Sequence, residues 1–358
     1  MHVLPPSRLA PINNMRRTGR LLRLLPFLSA LLVLSAQAAD STPPPATAPS
    51  ASSEAARVQL KKIQSAAQRL SYSGTFVYQQ ASQMRTSRIT HILAGKSELE
   101  KLEVLDGKPR EYLRNNDDVA CYIPDAKTVL VEKRVTRDVF PAILGANPED
   151  LVNHYNLSMG GDERVAGRDC QAIVLEPKDK LRYGYRFWAD KSSGLLLRAQ
   201  TLDGKGDVVE QISFTQIEIG PIDRARIRPS YADTRGWRIE KAAMSSVDLS
   251  GWNVTPPPGF RKIQEVRRLI SDTAGEAASP AQSRAAEREV SQIVFSDGLA
   301  AISVFIEAGG QNRNEGAIQQ GALNIVGRRQ GDYWLTVVGE VPAAAIRQVS
   351  DSIELKTK

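Results

Sequence analysis

Several short runs in this chain are apolar on both of their faces, and no other feature restricts its architecture as strongly. Thr128 and Leu130 alternate with Val129 and Val131, Ala172 and Val174 with Ile173 and Leu175, and Phe76 and Tyr78 with Thr75 and Val77. A strand in a sheet with one wet face alternates apolar with polar residues, so a doubly apolar strand needs a cover on each side. One cover lies just upstream. Ala56, Leu60, Ile63, Ala67 and Leu70 recur at helical spacing behind Ser53, a residue suited to cap a helix. The other face has to meet more protein or a hydrophobic ligand.

The strands follow one another closely. The pattern predicts them at 73–80, 86–93, 98–105, 109–115, 118–123 and 127–134, with Asp106-Gly107, Asn115-Asn116 and Pro124-Asp125 as turns. A short helix over 148–155 starts at Asn147 as cap and Pro148 in its first turn. Strands resume at 169–176, 182–189, 194–202 and 207–219, the last two joined by the Asp203-Gly204-Lys205-Gly206 hairpin. So many sequential strands argue for an antiparallel meander. Residues 221–245 are weak in strand signal, with Arg224, Arg226 and Arg228 alternating with Ala225 and Ile227, and read as an interdomain connection. A second β domain follows. Trp252 and Phe260 flank a Pro256-Pro257-Pro258-Gly259 turn, strands fit 260–269, 290–296, 299–306, 321–329 and 332–339, and a terminal helix fits 342–352. Asp297-Gly298 carries the signal of a type I′ hairpin, and 271–288 reads as a polar loop.

The first 38 residues read as a secretory signal: Arg16, Arg17, Arg20 and Arg23, then the apolar run 24–36, then Ala36-Gln37-Ala38. The run is short for a membrane span. Residues 39–53, rich in Pro, Ala and Ser, read as a disordered tether. The organisation is therefore signal 1–38, tether 39–53, first domain 54–220, connection 221–245 and second domain 246–358. The formal charge of +7 falls to +2 once the five arginines of the signal are removed, which leaves no global field favouring nucleic acid. Export permits a disulfide between the only two cysteines, Cys121 and Cys170, but two buried thiols fit the sequence equally well.

Catalytic patterns are scarce. His91 and His154 lack zinc-motif companions, and no nucleophile elbow, phosphate loop or dinucleotide fingerprint occurs, so the chain reads as a binding protein without metal or cofactor. Basic clusters remain: Arg261-Lys262, Arg267-Arg268 and Arg328-Arg329. Forked guanidinium contacts of this kind suit an acidic peptide or lipid phosphates.

The ordered segments Tyr72-Ser73-Gly74-Thr75-Phe76-Val77-Tyr78-Gln79, Arg182-Tyr183-x-Tyr185-x-Phe187-Trp188, Trp252-x-x-x-Pro256-x-Pro258-Gly259-Phe260 and Phe295-Ser296-Asp297-Gly298-Leu299 carry more. Together they resemble the RseB/MucB family of periplasmic negative regulators of the extracytoplasmic stress sigma factor. The resemblance implies an α+β protein: a LolA/LolB-like half-open antiparallel β-barrel with helices, then a smaller C-terminal antiparallel sheet with a helix. It implies a periplasmic partner, the periplasmic domain of an anti-sigma factor of the RseA/MucA type, shielded from the site-1 protease. It also implies release by lipopolysaccharide or a related acylated lipid. On that basis Phe76, Tyr78, Leu130 and Phe187 are candidates to line a lipid site, and Arg261, Arg267, Arg268 and Trp334 to hold the peptide. A homo-oligomer stays open. A lipid or lipoprotein carrier is the rival reading, and an envelope hydrolase a more distant one.

Overall fold

The computed structural model describes residues 51–356 except 96, 134–139, 146, 242–243, 271–287 and 310–312. The expected signal, most of the tether and most of the polar loop lie outside the described residues. The first helix, α1 (Ala51–Arg69), begins two residues before Ser53. Ser52 Oγ instead accepts a hydrogen bond from the Met159 amide at 3.0 Å.

Twelve strands form one open sheet. They are β1 (Tyr72–Gln80), β2 (Gln83–Ala94), β3 (Ser97–Val104), β4 (Arg110–Asn115), β5 (Asp118–Ile123), β6 (Thr128–Lys133), β7 (Tyr155–Val165), β8 (Arg168–Pro177), β9 (Gly184–Asp190), β10 (Leu196–Leu202), β11 (Val208–Ile219) and β12 (Arg238–Lys241). Their spatial order is β12-β6-β5-β4-β3-β2-β1-β11-β10-β9-β8-β7. The meander thus runs in two arms, β1 to β6 and β7 to β11, joined where β1 pairs β11. Strand β7 replaces what the sequence left as the end of a helix. Only the turn α2 (Pro148–Leu151) is helical there, with Asn147 accepting from the Glu149 amide at 3.2 Å. The chain turns extended at Tyr155, whose ring is wanted in the core.

The second sheet has order β13-β15-β16-β17-β20-β19-β18 and comprises β13 (Met244–Ser246), β15 (Arg261–Ile270), β16 (Arg288–Ser296), β17 (Ala301–Ala308), β18 (Gly316–Gln320), β19 (Leu323–Gln330) and β20 (Tyr333–Gly339). Helix α3 (Ala343–Ser352) covers one face with Ala345, Ile346 and Val349, and a small ladder joins β14 (Trp252–Asn253) to β21 (Glu354–Leu355). The turn between β16 and β17 is not of the expected type. Gly298 has φ 94° and Leu299 stays at negative φ, whereas a type I′ turn needs positive φ at both central residues.

The connection is more ordered than its sequence suggests. It lies across the first sheet, pinned where Lys101 Nζ donates to the Arg228 carbonyl at 3.0 Å and to Ser230 Oγ at 2.9 Å, and where the buried Glu111 carboxylate accepts from the Ser230 amide at 3.0 Å. It then adds β12 alongside β6 in parallel, before β13 enters the second sheet.

The larger apolar core lies between α1 and the half of the sheet formed by β1 and β7–β11. Leu60 and Ile63 of α1 are fully buried there with Phe187, Ile173, Leu196 and Leu197. The sheet beyond β2 has no such helix. Ile89, Leu102, Tyr112, Cys121 and Leu130 face one another across five strands, a continuous inner row. Leu102, Tyr112 and Leu130 in it are half-buried.

Candidate functional site at the domain junction

The two sheets meet around one buried guanidinium. Arg182 sits in the turn before β9, where its Nε donates to the Asp179 carboxylate at 3.0 Å. Its Nη1 donates to Asp297 Oδ2 at 2.9 Å and its Nη2 to the Pro258 carbonyl at 2.6 Å, both in the second domain. The rings of Tyr155 and Phe260 lie 5.7 and 5.4 Å from its central carbon. Asp297 is held in turn by the amides of Leu299 and Ala300 at 3.0 and 2.9 Å. A buried ion pair this well hydrogen-bonded offsets its desolvation, and losing one partner strands a charge.

Further contacts reinforce the junction. Asn324 Nδ2 donates to Tyr183 Oη at 3.1 Å, Gln80 Nε2 to the Gln320 carbonyl at 3.1 Å, and the Gly145 amide to the Gly298 carbonyl at 3.0 Å. Leu299 and Ala322 of the second domain belong to the first domain's core. Glu210, on β11, is pushed up to about 8, first by burial and then by the like charge of Glu340 in the second domain.

Beside this junction lies a cleft of about 510 Å³, a volume suited to a ligand side chain cluster or a short peptide stretch. Ile63, Leu144 and Ile263 supply apolar surface, and Gln64, Asp150, His154 and Arg261 polar groups. Arg261 Nη1 stands 3.9 Å from Asp150. Burial and then the neighbouring Arg182 hold the His154 imidazole below its usual range. Gly259 packs against that ring with φ 85°, and a Cβ there would collide with it, which is why glycine closes the triple-proline turn.

The structure separates the residues singled out from sequence. Phe76, Tyr78 and Phe187 lie in the close-packed core, Phe76 edge-on to Phe140 and Phe214 with ring centroids at 5.6 and 5.9 Å. Leu130 lies on the inner row of the uncovered half. Arg261 reaches the cleft, whereas Arg267, Arg268 and Trp334 lie toward the other end of the second sheet. There Arg267 pairs with Glu289 at 2.5 Å, and Trp334 is buried with its indole N–H donating to Thr336 Oγ1 at 3.1 Å. Cys121 and Cys170 are free buried thiols on β5 and β8, strands from opposite arms of the sheet. Arg182, Asp297 and Asn324 escaped the sequence reading as a site. Arg182 and Asp297 did stand inside the ordered segments, but nothing in a linear sequence says that residues 115 positions apart share a proton donor and acceptor.

A β-sheet module locked to a second one beside a mixed apolar and charged cleft defines a two-domain β-sheet protein with a cleft of ligand size at its domain junction. The comparisons specify which. Residues 55–245 match the MucB/RseB N-terminal domain and residues 246–354 the MucB/RseB C-terminal domain, so the chain belongs to the MucB/RseB family. It is 25% identical over 316 residues to the sigma-E factor regulatory protein RseB of Haemophilus influenzae, covering 86% of this chain and 93% of the relative. It is 29% identical over 313 residues to the sigma factor AlgU regulatory protein MucB of Pseudomonas aeruginosa, covering 82% and 89%. Relatives are thus named as regulatory proteins, not enzymes. Among solved structures it is similar to MucB in complex with MucA(peri), at 25% identity and TM-score 0.62, covering 85% of this chain and all of that one. The Pseudomonas aeruginosa MucA/MucB complex gives 25% and 0.64 over the same shares.

Proposed function

We propose that this chain is a periplasmic regulator that binds the periplasmic part of a membrane anti-sigma factor, shields it from site-1 proteolysis, and lets go when lipopolysaccharide or a related acylated lipid binds. The observation that carries the reading is the cleft beside the Arg182–Asp297 pair, built from both domains, in a family whose members have been solved with MucA. Arg261 and His154 at its polar side suit an acidic or amphipathic segment, with Arg267, Arg268 and Trp334 as a second contact region on the same domain.

Packing constrains how a lipid could enter. The inner face under α1 is filled by the protein's own side chains, so acyl chains enter there only if α1 and the Phe140–Leu144 loop move aside. α1 is suited to that. Three of its five buried residues are alanines, and its polar ties include Ser52 to the Met159 amide at 3.0 Å, Lys62 to the Lys191 carbonyl at 3.4 Å, Gln64 to the Leu144 carbonyl at 3.1 Å, and Arg57 and Lys61 to Glu149, all near the protein surface except Gln64. Lifted, it exposes Phe76, Tyr78 and Phe187 beside the inner row that ends at Leu130. Ile63, Gln64 and Leu144 also line the cleft, so the same movement deforms the peptide site. Lipid and peptide then oppose each other by one reciprocal coupling factor.

The test is capture of a purified anti-sigma periplasmic fragment by the mature chain, titrated with lipopolysaccharide. The expected result is saturable capture that lipid reverses and that Arg261→Glu weakens. Capture indifferent to lipid sinks the coupling, and no capture sinks the reading.

A further inference from the structure

The connection does more than join the domains. From Arg224 to Lys241 it covers the outer face of the first sheet and displays an aromatic and basic surface there. Tyr122 of β5 meets Tyr231 and Trp237 of the connection, with ring centroids 6.3 and 6.4 Å away, and Tyr231 and Trp237 stand 5.7 Å apart. All three rings are half-buried. Ile239, two residues beyond Trp237 on the same face of β12, is 65% exposed, the most exposed large apolar side chain among the described residues. Across the ladder it stands opposite Val129, which stands opposite Tyr122, so all these side chains share one face.

Cations surround this patch. Arg228 and Lys241 have no carboxylate partner among the described residues, and Lys241 follows Ile239 on the same face of β12. Arg235 pairs with Asp233 but remains 91% exposed, while Arg238 and Glu240 alternate with Ile239 on β12 and face the other side of the sheet. The backbone beneath is fixed by Lys101 and Glu111, so the surface is preformed.

We propose that the outer face around Tyr122, Tyr231, Trp237 and Ile239 is a docking surface for an anionic phospholipid bilayer. Tyrosine and tryptophan favour the headgroup level, where an apolar ring and a polar tip are both satisfied. An exposed isoleucine gains by entering the acyl boundary, and flanking arginines and lysine meet lipid phosphates. Charge complementarity favours a bilayer bearing anionic headgroups over a neutral one. An acidic protein segment would use the cations but would gain little from Ile239, which lies outside the outer-face cavity that Lys101, Glu103 and Arg226 line. This surface lies on the opposite face of the sheet from the inner row and from α1. Docking there would hold the regulator flat against a membrane while both inner-face and cleft sites stay open.

The experiment is sedimentation of residues 39–358, which contain every described element, with vesicles of phosphatidylcholine alone or mixed with phosphatidylglycerol. The chain is expected to sediment with the mixed vesicles, to be released by high salt, and to ignore the neutral ones. Ile239→Glu and, separately, Lys241→Glu are expected to lower vesicle affinity about tenfold with unchanged circular dichroism and melting. The same variants should leave capture of an anti-sigma fragment and its release by lipopolysaccharide untouched, which separates this surface from the proposed sensing site. No sedimentation with the mixed vesicles, equal sedimentation with neutral ones, or variants that bind like the parent would each overturn the proposal. So would variants that lose the anti-sigma fragment, which would make the patch a protein interface.

Discussion

The two arms of the large sheet solve the same problem in different ways. Both contain strands that are apolar on two faces. The arm β7–β11, with β1, is sealed on its inner face by α1 and by Phe140 and Leu144, and its side chains are buried as in any close-packed interior. The arm β2–β6 is instead covered on its outer face by the connection, through buried polar ties at Lys101 and Glu111, while its inner row at Leu102, Tyr112 and Leu130 stays half-open. The contrast teaches where adaptability can reside. A packed arm resists change, and a partly covered one leaves room for a ligand.

Substitution sharpens that comparison. Phe187→Ala in the sealed arm leaves a cavity among fully buried neighbours and is expected to cost about 3–5 kcal/mol in chemical denaturation. At the junction, Arg182→Ala strands the buried Asp297 carboxylate, also at about 3–5 kcal/mol. Pairing it with Asp297→Asn, which removes the stranded charge but keeps an acceptor for the Leu299 and Ala300 amides, should recover a large part of that loss. A double variant no better than Arg182→Ala alone would show that the guanidinium matters for its bonds to Asp179 and Pro258 rather than for its charge partner. Leu130→Ala in the open arm removes a half-buried side chain and is expected to cost only about 1 kcal/mol. A loss as large as that of Phe187→Ala would erase the distinction between the arms.

A further expected effect is one of pH. Glu210 carries a folded-state value of about 8 against its ordinary 4.5, so the folded chain holds a proton that the unfolded chain releases. Stability from this group is complete below about 4.5 and is lost as pH rises through about 8. The melting temperature should therefore decline across that window, and Glu210→Gln should flatten the decline. Glu98 works in the opposite sense. Its hydrogen bond from His91, then that from Arg114, holds it at about 2, so its contribution is present above its ordinary 4.5 and disappears as pH falls toward 2. Melting curves of Glu98→Gln that keep the parent's acid limb would refute this.

Most strand positions were legible because turn residues punctuate the chain. Asp106-Gly107 and Asp203-Gly204-Lys205-Gly206 separate alternating runs, and the strands on either side appear within a few residues of expectation. Strand β7 was missed because Pro148 and its cap look like the start of a full helix, and nothing local says the helix stops after one turn. Strand β12 was missed because four exposed residues carry no burial pattern at all. For the candidate site the division is sharper. Arg261 and Phe187 were both chosen by residue type, yet one lines the cleft and the other is sealed in the core.

The sequence alone determined that the chain must build two β-sheets, that the first needs covers on both faces, and that it carries the ordered segments of its family. Those follow from side-chain periodicity and turn chemistry, which act between near neighbours. Only the tertiary structure decided that Arg182 reaches Asp297, that the connection covers the outer face, and that Leu130 stays half-open while Phe76 does not. These depend on which surfaces meet after the chain has folded, and contact at long sequence separation leaves no local trace.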